Sequence, residues 1–141
     1  MGVATIFVTH DQEEAFEVAD RIGVLDHGRL LEVGPPLELY ARPRTEFVAR
    51  FLGAANLMVG INEPHGVRIG PCLFPLKTTG GEKEDAGRVQ VLFRPEDVAV
   101  KDAADALEWP RLGEAVVEES AFFGSVERLR LRIPELKGLR A

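Results

Sequence analysis

His10 stands where an apolar run gives way to an acidic one: Ile6-Phe7-Val8-Thr9 precedes it and Asp11-Gln12-Glu13-Glu14 follows. An imidazole at the end of a strand can donate a hydrogen bond to a phosphoryl oxygen. Phosphoryl transfer depends mainly on such positioning and charge stabilisation. The carboxylates beside it, Asp11, Glu13, Glu14 and Glu17, could in principle take protons. Their spacing suits a helix start better, with negative charge gathered near the positive end of the helix. A second group of charges lies far downstream. Arg128, Arg130 and Arg132 alternate along the chain and would share one face of a strand. They read either as an anion or partner contact or as the solvated face of a half-buried strand. No glycine precedes Lys77, Lys83, Lys101 or Lys137, so the sequence holds no Gly-Lys-Ser/Thr phosphate loop. His10, His27 and His65 are scattered without ligand spacing, and the single Cys72 excludes an internal disulfide or a cysteine-based metal site.

Charge and composition narrow the classes further. The 141 residues carry a net charge of -6 and an isoelectric point near 5.1. That balance argues against a protein that neutralises nucleic-acid phosphates. Phe122 and Phe123 therefore read as core or interface residues rather than a base-stacking platform. No apolar run approaches the roughly 20 residues that cross a bilayer. Met1 to Thr5 lack the positive flank of a signal peptide. Gly2 is not taken as a myristoylation site, since Ile6 and Phe7 fit a buried strand. The chain is expected to be intracellular, with no direct membrane insertion.

The elements that must position these residues follow from pattern. Val3 to Val8 is a β-prone run with apolar residues on both alternations, as in a parallel strand buried on both faces. Asp11 with Glu14 resembles a capping box, and Ala15, Phe16, Ala19 and Ile22 form the stripe of a helix of about three turns. Ile22 to Leu25 and Arg29 to Val33, joined by Asp26-His27-Gly28, carry a hairpin signature. Gly34-Pro35-Pro36 opens a short helix with Leu37, Tyr40 and Ala41 on one face, closed by Pro43. Thr45 caps another helix with Phe47, Val48, Phe51 and Leu52 inward, and Gly53 ends it.

From Asn56 the texture changes to Gly, Pro and short β-like pieces. These lie at Leu57 to Val59, Val67 to Ile69, Cys72 to Phe74, Arg88 to Phe93 and Val98 to Val100. Thr78 to Gly87 reads as a loop, and Asp102 to Trp109 as loop or short helix. Glu114 to Glu118 and Val126 to Ile133 pair across Phe122-Phe123-Gly124. Many short strands with turn signals indicate a small barrel or sandwich. The fold class is α+β, with one region at residues 1–54 and an all-β region at 55–141. The first region is too short to bury a comfortable core alone and reads as a piece of a larger sheet.

The run Ile6-Phe7-Val8-Thr9-His10-Asp11-Gln12-Glu13-Glu14-Ala15, followed by Val18-Ala19-Asp20-Arg21, resembles the switch-histidine segment of ABC ATPases. Gly28-Arg29, Glu32-Val33-Gly34, Pro36, Tyr40, Pro43 and Phe47 to Gly53 continue the likeness to the end of that α/β domain. Val91-Leu92-Phe93-Arg94-Pro95-Glu96-Asp97-Val98 is similar to the signature of the OB-like TOBE domain that follows the ATPase domain in importers. The resemblance implies that His10 contacts the γ-phosphate of ATP in the intact parent, which also uses Mg²⁺. It implies a homodimer beneath two membrane-spanning permease subunits, peripheral at the inner face of the cell membrane. Sulfate-type oxyanion uptake is favoured, ahead of polyamine or iron. It implies too that the general base, the phosphate loop and the signature motif lie outside this sequence. The chain alone is then expected neither to bind ATP tightly nor to hydrolyse it. The barrel is expected to be incomplete or closed by a partner, and Val3 to Val8 to seek a second chain.

Two lookalikes are set aside. Val24-Leu25-Asp26 resembles a strand ending in a magnesium-binding aspartate, but His27-Gly28 follows it and the hairpin accounts for all three residues. Thr78-Thr79-Gly80-Gly81-Glu82 resembles the signature loop but lies after the switch histidine. An alternative from another class is a non-catalytic regulatory or dimerisation module that senses a small anion or binds a partner.

Overall fold

His27 and Gly28 both have positive φ, 46° and 75°. That is the geometry of the two-residue turn whose twist matches antiparallel strands. It joins β1 (Ile22–Asp26) to β2 (Arg29–Gly34), with Asp26 opposite Arg29 and Ile22 opposite Gly34. The hairpin was expected from the sequence and is found in this computed structural model, which describes residues 3–75, 87–102 and 110–136. The chain divides into two compact units, Met1–Ala55 and Asn56–Ala141.

In the first unit, α1 (Gln12–Val18), α2 (Pro36–Ala41) and α3 (Glu46–Phe51) accompany the hairpin. Ile22, Val24, Leu39, Val48 and Leu52 are buried together, with Ala15, Phe16, Ala19, Leu31 and Tyr40 packed against them. Each fully buried aliphatic side chain contributes roughly 1.5–3 kcal/mol, so this small cluster is the main adhesive of the unit. Glu32 adds a polar latch. Its carboxylate is buried and accepts from the Arg44 amide (3.0 Å), the Thr45 amide (2.8 Å) and the Thr45 hydroxyl (2.8 Å). Thr45 in turn caps α3 by accepting from the Val48 amide, and Gly53, at φ 149°, follows the helix end.

Several expectations are corrected here. Val3 to Val8 form no strand. Val3, Ile6 and Val8 are 83%, 93% and 83% exposed, because a strand meant for two neighbours finds neither. The first helix has seven residues, about two turns, and Ile22 belongs to β1. In α2 the buried residue is Leu39, while Leu37 faces out. In α3, Val48, Ala49 and Leu52 are buried. Phe47 and Phe51 instead stack on each other, 5.7 Å apart, partly in solvent.

In the second unit, β3 (Asn56–Glu63), β4 (Gly66–Ile69), β5 (Cys72–Phe74) and β6 (Arg88–Phe93) form an antiparallel sheet in the order β5-β4-β3-β6. Val67 and Ile69 are buried, and Phe74 meets Phe93 edge to face at 5.9 Å. Arg68 grips Glu63 through two hydrogen bonds, 2.6 and 2.9 Å. That contact lowers the Glu63 carboxyl below its ordinary value and raises the Arg68 guanidinium. A single helical turn at Pro95–Asp97 ends β6, with the Arg94 amide donating to Asp97. Val98 to Val100 were expected as a strand and are irregular. A separate hairpin pairs β7 (Val116–Phe122) with β8 (Glu127–Arg132). Among the described residues the sheets are small and no barrel is closed. The polar stretch 78–86 and residues 103–109 lie outside the described residues.

Candidate functional site

The His10 loop is built from its two neighbours. Asp11 has an extended backbone and caps α1, accepting the Glu13 and Glu14 amides at 2.9 and 3.2 Å. A carboxylate there satisfies amides that the first helical turn leaves without partners. On the other side of His10, the Thr9 hydroxyl donates to a Glu14 carboxylate oxygen at 2.7 Å and accepts the Asp11 amide at 3.0 Å. His10 lies between these anchors and is exposed. The sequence pattern placed Asp11 as the cap. It assigned the Glu14 side chain to a reciprocal box with the helix backbone, whereas that side chain engages Thr9. The missed signal was a hydroxyl two residues before the cap.

The remaining acidic groups, Glu13 and Glu17, are exposed on α1. His27 sits on the β1–β2 turn with its ring nitrogen 2.8 Å from the Asp26 carboxylate and its side chain 93% exposed. Asp26 ends β1 at the hairpin turn, as the sequence suggested when its likeness to a magnesium ligand was set aside. The other lookalike, at 78–82, lies outside the described residues. The described residues include no group of three His, Cys, Asp or Glu side chains able to hold a metal ion. Among the described residues, the arrangement presents the His10 imidazole on a loop anchored through Thr9 and Asp11. The sequence contains no phosphate cradle around it.

Arg128, Arg130 and Arg132 belong to the second unit, on β8. Each has a partner within its own hairpin. Arg130 binds Glu119 at 2.6 Å and Arg132 binds Glu118 at 2.7 Å, while the Arg128 guanidinium lies 5.0 Å from the centre of the Phe123 ring. The register shifts between Val117 and Glu119. Such a bulge puts two consecutive residues of one strand opposite one of the other. This explains how adjacent glutamates reach arginines two positions apart.

No protein-family model matches the chain. Individual proteins do, over nearly all of it. The chain is 40% identical over 146 residues to the sulfate/thiosulfate import ATP-binding protein CysA 2 of Chromobacterium violaceum, an alignment that takes in 99% of this chain. It is 36% identical over 139 residues to the spermidine/putrescine import ATP-binding protein PotA of Oleidesulfovibrio alaskensis, covering 94% of this chain. It is 39% identical over 102 residues to the molybdate/tungstate import ATP-binding protein WtpC of Thermococcus kodakarensis, covering 72% of this chain. These homologues are ATP-binding subunits of importers. The chain spans 37% of the length of the first two and 29% of the third.

Proposed function

We propose that this chain is the switch-histidine and accessory portion of an ABC importer's ATP-binding subunit, in which ATP hydrolysis drives solute uptake. The observation that carries the reading is the His10 loop: an exposed imidazole, anchored on both sides, in a chain homologous over 99% of its length to an import ATP-binding protein. In that setting the imidazole of His10 donates a hydrogen bond to an oxygen of the γ-phosphate and helps place the attacking water. ATP with Mg²⁺, held by the rest of the subunit, supplies the phosphoryl group. A donor aimed at developing charge acts most strongly where its orientation is fixed beforehand.

The same reading makes the subunit a cytoplasmic homodimer, docked on two membrane-spanning permease subunits. No helix among the described residues is long and apolar enough to cross a membrane. The β3–β6 sheet and the β7–β8 hairpin are then strands of the OB-like TOBE domain. Sulfate-type oxyanion is our choice of solute, on the 40% identity to the sulfate/thiosulfate relative. Identities of 36% and 39% to polyamine and molybdate relatives are close behind. The near-equality supports a portion that couples ATP to transport without reading the solute.

The test is a chimera in which this chain replaces the matched residues of the Chromobacterium violaceum relative. His10→Ala in that chimera lowers ATP turnover by about two to three orders of magnitude, with ATP binding retained. Near-normal turnover with unchanged ATP binding would sink the reading.

A further inference from the structure

We propose that Glu14 is a positioning residue for His10, acting through the Thr9 hydroxyl. The inference rests on the reading of His10 as a phosphate contact and extends it to a residue that does not itself touch the nucleotide. The Thr9 hydroxyl has one proton to give and lone pairs to receive. It gives the proton to Glu14 at 2.7 Å and receives the Asp11 amide at 3.0 Å. Asp11 is pinned in turn by the Glu13 and Glu14 amides. Residues 9 and 11 are therefore both tied to the first turn of α1. The backbone direction at His10 is set between them.

The preceding segment offers no such restraint. Val3 to Val8 lie in no β-ladder, so the described anchors on both sides of His10, Thr9 and Asp11, lead to the same first turn of α1. Glu14 closes that arrangement by reaching back five residues. Glu13 carries the same charge in the same first turn of the helix, but its side chain makes no hydrogen bond to residues 9 to 11. This difference separates a positioning role from a general helix-charge effect, because loss of any early carboxylate weakens the helix by a similar amount.

The test compares Glu14→Ala, Glu14→Gln and Glu13→Ala. In the chain itself, NMR relaxation at the His10 amide reads loop order directly. The unmodified chain should give an order parameter near that of rigid backbone, about 0.85. Glu14→Ala should drop it to flexible values below about 0.6. Glu13→Ala should leave it unchanged, and Glu14→Gln, whose carbonyl still accepts from Thr9, should restore it. Equal effects of Glu13→Ala and Glu14→Ala, or no effect of either, overturn the proposal.

In the chimera, Glu14→Ala lowers kcat by about two- to tenfold, the effect of one modest hydrogen bond. KM for ATP stays unchanged and Glu14→Gln recovers the rate. Turnover lost in His10→Ala but kept in Glu14→Ala refutes the positioning role and leaves the reading of His10 intact. Normal turnover in His10→Ala refutes that reading and the positioning role together.

Discussion

Hairpin β1–β2 lays Ile22 and Val24 against Leu39, Val48 and Leu52, whereas every residue of β7 in hairpin β7–β8 is exposed. Their lengths are similar, five and six residues against seven and six. Both turns carry a glycine at φ 75°, although the first also places His27 at φ 46°. The larger difference between the hairpins is the third layer. The first hairpin has α2 and α3 to cover one face. Among the described residues, the second holds its strands by backbone pairing, the Ser120–Glu127 hydrogen bond, the Arg130–Glu119 and Arg132–Glu118 pairs and the Arg128–Phe123 contact. A two-stranded sheet without cover is marginal in water, and exposed ion pairs add little to it. A sequence can therefore encode a hairpin well and still leave its stability to whatever packs on it.

The strongest way to break this contrast is Leu39→Ala. Removing a buried leucine costs roughly 2–5 kcal/mol, so denaturant unfolding of the first unit should move to much lower urea. Amide exchange in β3 should not change. A parallel loss in both units would mean that they do not unfold independently.

Glu32→Ala should cost less, about 1–3 kcal/mol, as the Arg44 and Thr45 donors lose their common acceptor. Faster exchange of the Arg44 and Thr45 amides would report it, and unchanged exchange would show that water replaces the carboxylate without loss.

The smallest effect belongs to the exposed hairpin. Arg130→Ala should change its stability by no more than about 1 kcal/mol, and the difference should shrink in 1 M salt, where screening acts within about 3 Å. Exchange rates in β7 at low and high salt decide this. A large, salt-independent loss would imply that Arg130 packs rather than pairs.

The same contrast explains what the sequence made legible. Local signals worked where the physics is local. The His27-Gly28 turn, the Thr45 cap and the alternation of Arg88 to Phe93 each depend on neighbours a few residues away. Val3 to Val8 failed for the opposite reason. Its composition promises a strand, but a strand exists only when another supplies hydrogen bonds, and the described chain supplies none. The inward face of α2 was misjudged because Leu37 and Leu39 are equally apolar, and only the hairpin, with Gly34 at the close approach, decides for Leu39. The Glu32 latch gave no pattern at all, since its partners are two backbone amides and the Thr45 hydroxyl beyond Pro43, twelve and thirteen residues away. At the candidate site, the residues around His10 were legible as a family likeness and as a helix cap. The Thr9–Glu14 bond was not, because a glutamate three residues into a helix has an equally good backbone partner.

The turn at His27-Gly28 has a consequence for time as well as for shape. Its strands need close only a two-residue loop, an event of about 1–10 μs. By contrast β3 must find β6 across the whole of β4, β5 and the segment between, pairing Asn56 with Phe93, and such non-local contacts form late. The first unit should thus be assembling on its own hairpin while the second is still searching for its central pair. In a refolding experiment, protection at Val24 should appear before protection at Val59.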